Sequence, residues 1–161
     1  MNYEPIHKST FDKLSKEFKY LKDVEKPKYN QEKQIAAMQG DRSENAEYQA
    51  AKEQLRHIDK RLKFLSKTLN RVRIIDPSTL PTDKVSFGLN ITLEDLDTEN
   101  IISYNIVSEI ESNPSKNHIS LHSPIAKKLW HKTIGDIISI NLPIGFKEYE
   151  ILKIEYVNGL L

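Results

Sequence analysis

Cysteine is absent from the 161-residue chain. That excludes disulfides, thiolate metal sites and a cysteine nucleophile. No long apolar run occurs, so no membrane-spanning helix is expected. Glycine is scarce, and none of the five sits in a phosphate-cradling loop. Met1-Asn2-Tyr3-Glu4-Pro5 lacks the basic-then-apolar pattern of a secretory leader. His7, His57, His118, His122 and His131 show no metal-ligand spacing, and no Ser/His/Asp set can be placed. The expectation is a cytoplasmic protein with no membrane partner and no small-molecule substrate, and not a free-standing enzyme.

Charge is plentiful, at 29% of residues against 38% hydrophobic. Residues 1–76 carry 17 Lys/Arg and 12 Asp/Glu, whereas residues 77–161 carry 7 and 11. A basic arm facing nucleic acid and a mildly acidic body is one reading of this asymmetry; chance variation on two solvated surfaces is the other.

The hydrophobic period also changes along the chain. Phe11, Leu14, Phe18 and Leu21 recur at helical spacing, as do Tyr48, Ala51, Leu55, Ile58, Leu62, Leu65, Leu69 and Val72. Gln39-Gly40-Asp41-Arg42-Ser43 separates the two runs. Gly40 can end one helix in left-handed backbone, and Asp41 or Ser43 can cap the next. An antiparallel hairpin follows, with Phe11 opposite Val72 and Leu21 opposite Leu62. Its arms should be about 45 Å long at the helical rise per residue. Pro27 should kink the first arm. Lys28 and Glu32 would face the seam and weaken its middle.

The second half alternates with strand period over Val85–Leu93 and Ile102–Ile106. Shorter apolar runs recur at Ile119–Leu121, Ile137–Leu142 and Tyr149–Val157. Glu94–Asn100 reads as a hairpin turn and Glu109–Asn117 as a polar loop. Ser123 and Pro124 open one short helix, in which Trp130 reads as a core anchor. The fold class is α+β: residues 1–76 a coiled-coil hairpin, 77–81 a proline-marked linker, and 82–161 an antiparallel sheet domain with one short helix.

Asp41 and Glu44 stand three residues apart, on one face if both lie at a helix start. Such a pair is ordinarily capping and dipole chemistry. It could also supply part of a Mg2+ site that a partner completes, since magnesium is commonly held by one or two carboxylates plus substrate phosphate. Lys52, Arg56, Lys60, Lys63 and Lys67 form a stripe behind the tip, with Arg42 nearby. That stripe suits phosphates, or is an ordinary solvated face.

The segment Gly40-Asp41-Arg42-Ser43-Glu44-Asn45-Ala46-Glu47-Tyr48 resembles the tip motif of the bacterial Gre transcript-cleavage factors. Ser123-Pro124-Ile125-Ala126-Lys127-Lys128-Leu129 resembles the Ser-Pro helix of the same family's C-terminal domain. The resemblance runs from Phe11 to Tyr156. It implies a coiled coil joined to a domain like the FK506-binding proteins (FKBP-like), docked on bacterial RNA polymerase through His122, Ser123 and Pro124. The coiled coil would enter the secondary channel. There Asp41 and Glu44 would be catalytic accessories, holding a Mg2+ shared with the polymerase active site and not stably bound by the free protein. Backtracked RNA would be cut near its 3′ end, guided by Arg42, Lys52, Arg56, Lys60, Lys63 and Lys67, with DNA touched only weakly through charge. Arg42, the run Leu55–Arg61 and the basic stripe lean towards GreB over GreA. His122 is a departure from the small polar or acidic residue usual before Ser-Pro. The alternatives are a non-cleaving regulator that occupies the channel and, from the FKBP-like domain alone, a prolyl isomerase.

Overall fold

The computed structural model describes residues 3–161; Met1 and Asn2, part of the leader reading, lie outside them. The mixed α+β class holds. Two compact units are present: Phe11–Val72, and the chain up to Thr10 together with Arg73–Leu161. The expected division at 76 and 82 differs from these units in two respects: the boundary falls after Val72, and the chain up to Thr10 joins the sheet unit. A short strand, β1 (Glu4–Ile6), pairs with β2 (Val72–Ile74), and Ile75 N–H donates to the Ile6 carbonyl at 3.0 Å. Ile6 is fully buried. The first residues thus group with the sheet unit, a pairing too short and too distant in sequence to leave a periodic signal.

In the hairpin, the first arm is α1 (Lys8–Tyr20), a π-helical turn at Leu21–Glu25, and α2 (Lys26–Ala37). The returning arm is α3 (Ala46–Arg71). The apolar period of α3 does what it predicts: Ala51, Leu55, Ile58 and Leu65 are buried, with Tyr48, Leu62 and Leu69 half-buried. Val72 has left the helix. Leu14 is buried opposite, between half-buried Phe11 and Phe18. The 26 residues of α3 span about 39 Å, shorter than expected because residues 40–45 and Val72 are not helical. Arg61 bridges the arms, donating to both carboxylate oxygens of Glu17 at 2.6 and 3.0 Å. Lys26 pairs with Asp59 at 2.7 Å.

The π turn changes the seam. Pro27 has no N–H, and its ring crowds the carbonyl four residues back. The helix widens there: Lys26 N–H donates to the Leu21 carbonyl, five residues back. One extra residue in the turn rotates the rest of the arm. Tyr29, Lys33 and buried Ala36 therefore turn inward, whereas Lys28 and Glu32 are exposed and Ile35 is half outside. The expected inward placement of Lys28 and Glu32 is corrected by that single residue.

The sheet unit is built on a five-stranded sheet in the order β5-β4-β3-β7-β6, from β3 (Asn90–Asp95), β4 (Ile101–Val107), β5 (His118–Ser120), β6 (Ile137–Leu142) and β7 (Gly145–Glu155). All pairs are antiparallel except β4 and β5, whose parallel pairing corrects the expected all-antiparallel sheet. The physical reason is the Glu109–Asn117 stretch. Instead of a simple loop it makes two 3-10 turns that carry the chain back to the β4 edge. A bulge opposite Thr92 and Leu93 leaves Leu152 out of register. One face buries Leu89, Ile91, Leu93, Ile106, Ile138, Ile140, Tyr149 and Ile151. Helix α4 (Pro124–Leu129) covers it with Ala126 and Leu129. Trp130 packs against this core, as an anchor should.

The 77–81 stretch is anchored rather than free. Pro77 is buried, and Gly88, at φ +75°, lies so close to its ring that a Cβ would collide with it. His7 lies over Phe87, ring centroids 4.7 Å apart. Its Nδ1 is 2.9 Å from Oε2 of Glu111, which is wholly buried, and its backbone N–H donates to the same oxygen at 3.1 Å. Ser108 gives Glu111 Oε1 its backbone N–H and its hydroxyl. Burial opposes the Glu111 charge, but donors from His7, Thr10 and Ser108 outweigh it, and the carboxyl lies below its ordinary range.

Candidate functional site at the hairpin tip

Asn45, rather than Asp41 or Ser43, caps α3. Its side chain accepts from Tyr48 N–H at 3.0 Å, and its amide donates to the Ala36 carbonyl at 2.6 Å. One side chain thereby starts the second arm and ties it to the end of the first. Asp41 and Glu44 consequently lie in the turn, not in the first helical turn; among the described residues only Glu47 is acidic there. Gly40 takes φ +135°, as a chain reversal after α2 demands.

Asp41 Oδ1 accepts from both the backbone N–H (3.0 Å) and the hydroxyl (2.9 Å) of Ser43. These bonds favour the ionised form and hold its carboxyl below the usual aspartate range. Both bonds fall on Oδ1, and among the described residues none is made by Oδ2. Asp41 and Glu44 are exposed, and they line an open depression of ≈ 400 Å³ with Gln39, Asn45, Ala46 and Glu47. Arg42 has turned back over the Tyr48 ring, 5.7 Å from its centroid, and its carbonyl accepts from Gln49.

Oxygen donors of this kind suit a hard cation. Yet among the described residues no three His, Cys, Asp or Glu side chains are grouped to hold a metal. Two carboxylates are the most that the tip turn itself could offer to such a cation.

Lys52, Arg56, Lys60, Lys63 and Lys67 are all exposed along α3. Arg56 is engaged by Glu53 at 2.6 Å, and His57 approaches the same carboxylate at 3.1 Å, so the stripe has one partly neutralised position. In the sheet unit, Ser123 caps α4 by accepting from Ala126 N–H at 3.2 Å. Pro124 is exposed, and His122 lies 3.6 Å from Glu4. His122, Ser123 and Pro124 form one corner of the sheet unit, while the tip carboxylates and the stripe belong to the hairpin. Reading the sequence missed the Asn45 cap and the Glu17–Arg61 bridge. The only available signal was the equal standing of Asp, Ser and Asn as caps.

Comparison with known proteins bears on this arrangement. The family model "Transcription elongation factor, GreA/GreB, C-term" matches residues 80–156, and "Transcription elongation factor, N-terminal" matches residues 4–74. Transcription elongation factor GreA of Helicobacter pylori (strain Shi470) is 47% identical over 156 residues, which cover 97% of this chain and 95% of that protein. GreA of Nautilia profundicola is 46% identical, with 97% and 96% covered. Among solved structures, Gfh1 of Thermus thermophilus is 22% identical at TM-score 0.44, covering 95% of this chain and 99% of that one. Gfh1 of Thermus aquaticus is 25% identical at TM-score 0.44. The chain belongs to the GreA/GreB family of transcription elongation factors. These relatives bear the GreA name, and nothing in them supports the lean towards GreB.

Proposed function

We propose that this protein binds bacterial RNA polymerase, passes its hairpin into the secondary channel, and stimulates cleavage of the 3′ end of backtracked RNA. The observation that carries this reading is the tip: two exposed carboxylates held in a turn by Asn45, at the end of a helical hairpin. Asp41 arrives ionised and fixed by Ser43, so no reorganisation of its oxygen is needed on docking. Glu44 adds a second acceptor beside it, able to orient a water. When bound, Mg2+ stabilises charge on the attacking and leaving oxygens of a phosphodiester. Lys52, Lys60, Lys63 and Lys67 offer point charges to the extruded RNA. The protein is then an accessory to the polymerase's own activity, acting in the cytoplasm.

The test uses stalled, backtracked elongation complexes. Asp41→Asn with Glu44→Gln should bind polymerase as before and lower the cleavage rate by at least about 10²-fold, the scale of a lost electrostatic stabiliser. Undiminished cleavage would leave the alternative, a channel-occupying regulator without chemistry. The released fragment length assigns the GreA or GreB class.

A further inference from the structure

Strand β6 forms one edge of the five-stranded sheet, and its outer side is open. Its ladder can be read in two independent ways. Leu142 and Gly145 close a two-residue hairpin turn, which makes them a hydrogen-bonded pair. At the other end, Ile151 N–H donates to the Asp136 carbonyl at 2.9 Å. Both readings put Ile138, Ile140 and Leu142 in the hydrogen-bonded positions towards β7. The N–H and C=O groups of Ile137, Ser139 and Asn141 therefore point away from the sheet, and among the described residues no backbone group receives them.

Natural edge strands usually carry a lysine, a proline or an inward charge to repel other strands. This one carries none. Residues 137–146, Ile-Ile-Ser-Ile-Asn-Leu-Pro-Ile-Gly-Phe, contain no charged side chain. Exposed apolar groups flank the edge: Ile137 is 57% exposed, Phe146 59% and Ile144 80%.

We infer that the β6 edge is a self-association surface, on which a second copy of this chain pairs its own β6 antiparallel about a two-fold axis. The register follows from the strand itself. Ser139 must oppose Ser139 of the second copy, because only then do Ile137 and Asn141 oppose one another as well. Every outward group is then used, in three residue pairs exchanging about six hydrogen bonds. Shifting the axis to Ile140 would place Pro143 opposite Ile137, and proline has no N–H to give. In the Ser139-centred register Ile138 meets Ile140 in the close, non-hydrogen-bonded positions, where side-chain contact is strongest. Side chains on the core face meet only core-face side chains, as a continuous sheet requires. The absence of charge on the strand fits a copy of itself: no like charges meet along β6, and the carboxylate beside its centre, Glu148 on β7, is already engaged by the Ser139 hydroxyl at 3.3 Å. The interface is isologous and closes at two copies.

The test is sedimentation equilibrium or light scattering of the full chain over a hundredfold concentration range, with two variants. Ser139→Lys places like charges directly opposite on the axis. Ser139→Pro removes an outward donor without removing any bond to β7. Both should keep the wild-type circular dichroism spectrum, while only the wild-type melting temperature should rise with protein concentration. The expected result is a wild-type dimer, with both variants shifted to monomer. A wild type that stays monomeric throughout overturns the inference. So does a dimer that persists in both variants, or a monomeric wild type whose polymerase binding is lost in Ser139→Lys, which would make the edge a docking strand for the polymerase.

Discussion

At the scale of residues, two carboxylates show how differently the chain treats charge. Glu111 is buried and has its donors built around it; Asp41 is exposed and has one oxygen fixed and the other free. Glu111→Gln removes the charge facing His7 and turns an acceptor into a donor against one of its donors. It should lower stability at neutral pH by about 1–3 kcal/mol, the usual range for an unsatisfied buried polar group. Acid dependence follows from the same cluster. Glu111 has a folded-state pKa below its unfolded value, so its contribution is present above the unfolded value and is lost as pH falls through the folded one. His118, buried with Nδ1 unpartnered, is also lowered, by burial first and then by Lys116 and His7, with Glu111 opposing. Protonating it favours the unfolded chain below the ordinary histidine value of about 6.5. Stability should therefore decline from about pH 6.5 downward and again below the ordinary glutamate value near 4.3. Urea unfolding at a series of pH values would show both limbs, and in Glu111→Gln the lower limb should shrink. Sequence could not reveal this pair, because its partners are separated by 104 positions.

At the scale of elements, periodicity was legible wherever one period ran uninterrupted. The α3 stripe was readable from Tyr48 to Leu69, and so were the apolar runs that form β6 and the later part of β7. The first arm was legible as far as Leu21 and not beyond, because the π turn adds a residue that the pattern cannot count. The disruption expected at Pro27 takes the form of the π turn, which also rotates the seam. Pro27→Ala alone restores a donor but leaves the extra residue, so the gain should fall well short of the ~3 kcal/mol cost of a proline inside a regular helix. Deleting exposed Val24 together with Pro27→Ala should straighten the arm while keeping Tyr29 and Ala36 inward. Its hairpin should then unfold at higher urea than Pro27→Ala. A loss of stability in the deletion variant would mean that the widened turn is required for packing. The tip motif was legible as a pattern and its cap was not: Asp41, Ser43 and Asn45 are equal candidates by type. What decides is the second bond that Asn45 alone makes, to Ala36.

At the scale of the whole molecule, the first residues and Arg73–Leu161 share one unit, which composition could not show because β1 is three residues long. A fragment beginning at Arg73 lacks Ile6 and His7. It leaves Glu111 without its histidine and uncovers Phe87 and Gly88. That fragment should melt lower than the same unit in the full chain, and amides of Ser108–Glu111 should lose protection from hydrogen exchange. Equal protection in both would show the N-terminal strand to be dispensable. The β1–β2 pairing has one more consequence. Topologically, the hairpin is a long insertion spliced into a two-stranded ribbon, entered from β1 and left through β2. Both of its roots are stitched into the same seam, so its length is a free variable. Matched turns can be added to or cut from the two arms, lengthening or shortening the hairpin, without a single strand of the other unit being rewritten.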